Sequence, residues 1–159
     1  MSEIAKRAGA PIGSLYQFFP NKESLARALR TQHAQEYEEL CAPLETQART
    51  MSLERLVVRF VALMVKFVQQ HPAYLPLLEA PSTTRIPAAR ERHRQWIARL
   101  LLAHSPHLPQ AKSLKIATVV IQINRGMMGL YAQSEPDERP WIVEEFNTVL
   151  NVYLTSRLR

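Results

Sequence analysis

Between Ser14 and Lys22 the chain sets out two hydroxyls, two carboxamides and one ammonium, on Ser14, Tyr16, Gln17, Asn21 and Lys22. Groups of these types hydrogen-bond phosphate oxygens and the edges of nucleic-acid bases. Gly13 precedes them within a short helical pattern, where glycine costs about 1 kcal/mol against alanine. A compensating benefit is expected, and close approach of another backbone, DNA being a candidate, supplies one. Asn21 is a good N-cap for a further helix, and Lys22 sits in that helix's first turn. Free amides and the helix dipole favour an anion such as phosphate there.

Short elements must hold these groups. Residues 2 to 8 form a helix with Ile4, Ala5 and Ala8 on one face and Glu3, Lys6 and Arg7 outside it, and Gly9 stands where a left-handed cap is needed. Pro11 suits the first turn of a second helix, running to about residue 18, because the amide hydrogen it lacks would be unpaired there anyway. Leu15 and Phe19 are free to face a core. Helix, glycine turn, helix is the helix-turn-helix pattern.

The stretch "IAKRAGAPIGSLYQFFPNKESLARAL" resembles the helix-turn-helix signature of the TetR (tetracycline-repressor) family of bacterial transcription regulators, in the order I-A, A-G, G-[ST]-L-Y, F, N/S-K-E-x-L. The resemblance covers residues 4 to 29 and implies a homodimeric, all-helical regulator binding a double-stranded palindromic DNA operator. It implies that Ser14, Tyr16 and Lys22 contact phosphate, that Gly13 lets the recognition helix approach, and that Pro11, Ile12 and Gln17 lie where base contacts are made. Leu15, Phe19 and Leu25 would pack. Pro11 and Ile12 depart from the polar or basic residues common in the family. Ile12 either meets a thymine methyl in the groove or turns inward against Leu15 and Phe19. In the family an amphipathic helix precedes this signature. Without it Ile4, Leu15, Phe19, Leu25 and Leu29 would form an open apolar patch. The expectation is that the given chain begins late; a natural truncation would weaken DNA binding or abolish it.

Bulk properties agree with an acidic partner. The 159 residues carry a net charge of +6 and a pI near 9.8. Residues 1 to 30 hold five Lys or Arg against two acids, so +3 falls in that short head. Apolar residues make up 47% and charged residues 21%, a composition that folds. No apolar run reaches the roughly 20 residues that span a bilayer, and the single Cys41, read as lying on a polar helix end, excludes an internal disulfide. A cytoplasmic protein without membrane contact is expected.

The remainder reads as helices divided by prolines, Pro43, Pro72, Pro76, Pro81, Pro87, Pro106, Pro109, Pro136 and Pro140, with no strand signal. Residues 51 to 71 carry Leu53, Leu56, Val57, Phe60, Met64, Phe67, Val68 and His71 as one stripe, with Glu54, Arg55, Arg59 and Lys66 outside it. Further helices are expected at about residues 88 to 103, 110 to 133 and 139 to 158. The last two are broadly apolar, which points to a four-helix bundle shared between two copies. Gly126 and Gly129 would permit close approach there, or serve packing within one chain. The organisation expected is a helix-turn-helix head over residues 1–42 and a ligand-binding and dimerisation domain over 43–159. An effector of unknown chemistry would sit among Phe60, Met64, Phe67, Trp96, Ile123, Met127 and Tyr131, with His71, Gln122 and Asn124 as polar anchors. Core packing explains each of these separately.

Other chemistry finds little support. His33, His71, His93, His104 and His107 are scattered along the chain, with His104 and His107 in a loop around Pro106, so neither a metal nor another cofactor is expected. No G-x-S-x-G and no phosphate-binding glycine loop occurs, and an enzyme is not expected. The run "RIPAARERHRQW" is either a second basic patch or a solvated helix face. Two functions compete: a ligand-responsive repressor, and a dimeric small-molecule-binding protein of the same fold without effective DNA binding.

Overall fold

A computed structural model describes residues 1–79 and 87–158, and among them eight helices and no strand. Pro81 and Arg85 lie outside the described residues. Helix α1 spans Ser2–Arg7, and Gly9 follows at φ 62°, the left-handed turn that glycine adopts without a Cβ clash. Helix α2 spans Ile12–Phe18 with Pro11 as its N-cap at φ −60° and ψ 135°. Asn21 opens α3, Lys22–Gln47, with a reciprocal cap. Its Oδ1 accepts from the Ser24 amide at 2.8 Å, while the Ser24 hydroxyl oxygen accepts from the Asn21 amide at 3.3 Å.

Pro43 does not divide the chain: α3 runs through it. The amide that proline lacks would have bonded the carbonyl of Glu39, and both residues are exposed, so water can serve that oxygen. On the opposite side Cys41 and Leu44 are sealed in the core and hold the helix in register. Cys41 is therefore not on a polar helix end but 0% exposed.

Helix α4, Leu53–Gln70, starts at Ser52, whose hydroxyl accepts from the Arg55 amide. Its stripe is buried as its spacing requires, with Leu56, Val57, Phe60, Val61 and Phe67 inside and Glu54, Arg55, Arg59 and Lys66 exposed. A short α5, Tyr74–Glu79, stands where the sequence reading saw only proline punctuation. It holds Pro76 in its first turn, a position that needs no amide. Helices α6, Pro87–His104, α7, Gln110–Gln133, and α8, Arg139–Leu158, complete the chain close to their expected bounds.

The core lies where α6 packs on α7 and α4 on α8, with α3 laid across α4 and α6. Phe67, Phe146, Ile97, Leu150 and Val61 are fully buried there, each worth roughly 1.5–3 kcal/mol of transfer free energy. On the far side of α7 and α8, Val119, Leu130, Trp141, Val149 and Val152 stay exposed.

Candidate nucleic-acid interface and sensing core

The turn at Gly9 and the cap at Asn21 present α2 on the surface of the head. Pro11, Gly13, Ser14, Gln17 and Lys22 are exposed, Tyr16 is 48% exposed and Ile12 45%. Ile12 thus faces outward and not into the core. The side chains of Ser14, Tyr16 and Gln17 make no hydrogen bond among the described residues, which leaves their donors and acceptors available. A Cβ placed on Gly13 would meet nothing within 4 Å among the described residues, so none of them requires glycine there. Leu15, Phe19, Leu25 and Leu29 are half-buried, Ala5 is buried, and Phe18 is 76% exposed.

Helix α3 is tied to its neighbours near both of its ends. The Arg30 guanidinium donates to the Leu77 carbonyl oxygen at 2.8 Å and pairs with Glu23 at 3.3 Å, joining α3 to α5. His104, expected in a loop, ends α6 instead, with Nδ1 at 3.2 Å from the Ala48 carbonyl at the close of α3. Within the arginine run, Arg92 pairs with Glu38 and Arg94 with Glu91, while Arg90 is exposed.

Two stretches of the chain match known protein families. Residues 1–29 match the family described as bacterial regulatory proteins, tetR family, and residues 52–154 match the tetracyclin repressor-like C-terminal domain. The chain belongs to the TetR family. As a TetR-family protein it is a DNA-binding transcriptional regulator with a helix-turn-helix domain, of a kind that is generally non-enzymatic. Neither a curated protein nor a solved structure matches it. No helix among its described residues is long and apolar enough to cross a membrane.

In the TetR-like carboxyl domain the residues expected around an effector are brought together only in part. Phe60 stacks on Trp96 at 6.1 Å and Phe67 on His71 at 4.3 Å. Tyr131 is buried, with its hydroxyl accepting from Gln69 at 2.8 Å and the Arg139 guanidinium over its ring. Asn124 is 4% exposed, and neither polar atom of its amide has a partner among the described residues. Met64, Ile123 and Met127 are half-buried. Gln122, two residues before Asn124 and so on nearly the opposite side of α7, is exposed and lies outside the core. A groove of about 790 Å³ opens between α3 and α6 along Glu38, Glu45, Arg49, Arg92, Trp96 and Arg99, and of the expected residues it includes Trp96 alone.

Sequence reasoning missed several core groups. Tyr37 sits between Phe67 and His93, His93 stacks on Trp96, and Trp96 Nε1 is buried without a partner among the described residues. Burial pushes the His93 imidazole down to about 4 and the Cys41 thiol up to about 11. His33 and His71, read as scattered, face one another with ring centroids 4.9 Å apart. The signal available was His33 and Glu36 at helical spacing; the approach of His71 depends on α3 packing against α4.

Proposed function

We propose that this regulator is a ligand-responsive repressor that binds a palindromic operator as a homodimer. The observation that carries the reading is α2, whose exposed Ser14, Tyr16 and Gln17 are uncommitted to the protein's own hydrogen bonds. Ser14, Tyr16 and Lys22 hold phosphates, Gly13 admits the DNA backbone, and Pro11, Ile12 and Gln17 meet base edges, Ile12 through a thymine methyl. Residues 1–42 act as the reading head and 43–159 as the sensing and dimerising body, with α3 common to both.

Dimerisation is supported by the outer faces of α7 and α8. Val119, Leu130, Trp141, Val149 and Val152 are exposed there, and Gly126 has open space over it, which suits helices from a second copy. An effector is supported by the orphaned buried groups of Trp96 and Asn124, which lie within the expected set around Phe60, Phe67 and Tyr131. Its differential affinity for two conformers would shift the spacing of the paired heads, which must match half-sites about 34–36 Å apart.

The test is recovery of genomic DNA fragments by the purified full chain at moderate salt, followed by anisotropy titration of an enriched fragment across salt concentrations. Enrichment of a palindromic site whose affinity falls steeply with salt is the expected result. Weak, sequence-blind binding alone would replace the repressor by a dimeric small-molecule-binding protein of the same fold.

A further inference from the structure

We propose that His33, Glu36 and His71 form a binding site for one divalent transition-metal ion of the zinc class. His33 and Glu36 share a face of α3, three residues apart, and His71 closes α4 with its ring held against Phe67. Glu36 Oε2 lies 3.3 Å from His33 Nδ1 and 3.6 Å from His71 Nδ1. One donor atom from each residue lies within 4.8 Å of the other two. Ligands about 2.0–2.1 Å from a tetrahedral zinc ion are themselves about 3.3 Å apart, so both edges that meet at Glu36 already have nearly the required length. The remaining edge, between the two histidines, lies within 4.8 Å and would shorten on binding.

The surroundings suit an ion. His33 is 8% exposed, and among the described residues Glu36 is the one partner of its Nδ1, the nitrogen that would face the ion. Glu36 is oriented from outside the cluster, because Gln32 donates to its Oε1 at 2.8 Å and leaves Oε2 to the two rings. Two imidazoles and one carboxylate suit zinc, cobalt or nickel, whereas calcium and magnesium demand more oxygen ligands. Three protein donors leave a fourth tetrahedral position open to water or an anionic ligand. A bound ion fastens α3, which begins at the reading head, to the end of α4.

Titration of the metal-free full chain with zinc, followed by isothermal calorimetry, and with cobalt(II), followed by its visible ligand-field bands, tests the site. One ion per chain and a four-coordinate cobalt spectrum are expected. His71→Ala and Glu36→Gln, at partly exposed positions, should each weaken binding at least tenfold with unchanged far-UV circular dichroism, so the test does not rest on a buried His33 variant. His107→Ala, on an exposed loop, should bind as the parent does. Absence of saturable binding, or His71→Ala and Glu36→Gln variants that bind as tightly as the parent, overturns the proposal.

Discussion

Arg30 Nε donates to the carbonyl oxygen of Leu77 at 2.8 Å, spanning 47 positions of sequence to join α3 to the short α5. The Arg30 side chain is only 11% exposed, and the same guanidinium pairs with Glu23 near the start of α3. A single cation thus addresses both the first turns of α3 and the α5 backbone.

Arg30→Met should destabilise the fold by about 1–3 kcal/mol, because the Leu77 carbonyl and Glu23 lose a charged donor in a poorly hydrated place. Arg30→Lys should recover only part of this, since an ammonium does not reproduce the planar fork. Urea unfolding of the three proteins measures both effects. Equal stability for Arg30→Met and the parent would remove the joint from the account.

Gly13→Ala separates folding from DNA reading. Open space over Gly13 means that a methyl is accommodated in the free protein, and helix propensity predicts a gain of up to about 1 kcal/mol. If DNA approaches this backbone, operator affinity must fall while thermal stability holds or rises. An unchanged affinity would place the DNA elsewhere.

Cys41 is sealed between Tyr37 and the body of the core, and burial raises its thiol to about 11. At pH 8 a disulfide reagent should leave it intact in the native chain and modify it only as fast as the protein opens. Modification of native protein at the rate of a free thiol would contradict this packing.

The His93 ring lies between Tyr37 and Trp96, and burial lowers it from 6.5 to about 4. The folded state therefore holds the neutral ring while the unfolded chain takes up a proton. The stability this contributes is fully present above about pH 6.5 and is lost as pH falls toward 4, at about 1.4 kcal/mol per unit at most. Between pH 7 and 4.5 the parent should lose on the order of 2 kcal/mol more than a His93→Phe variant. Parallel stability profiles for the two would show that His93 is solvated.

The parts of this fold that were legible in the sequence are those decided locally. Gly9, Pro11 and Asn21 mark the head because a left-handed turn, a proline-compatible first turn and a side-chain cap are properties of a few neighbouring residues. The stripe from Leu53 to Val68 was readable because its period is that of one helix packed on one side. Pro43 misled because its local cost is overridden by the burial of Cys41 and Leu44, which no local pattern reveals. Gln122 and Asn124 show the same limit in the expected effector site, where two polar residues of similar type end on opposite sides of α7. His33 and His71 stand far apart in sequence, and only the crossing of α3 and α4 makes them neighbours.

The continuity of α3 through Pro43 makes this helix a lever. Its 26 residues extend about 39 Å, with Cys41 and Leu44 sealed in the core toward its end and Arg30, nearer its start, bonded to the α5 backbone. Lys22 stands about 21 Å from Glu36 along the axis. A tilt of roughly 10° about that fulcrum sweeps Lys22 through about 3.6 Å, close to one base-pair step of about 3.4 Å. A rearrangement of side chains where α3 meets α4 that tilted the helix this far would break the Arg30–Leu77 bond and displace the first turn of α3 by about one base-pair step without bending the helix.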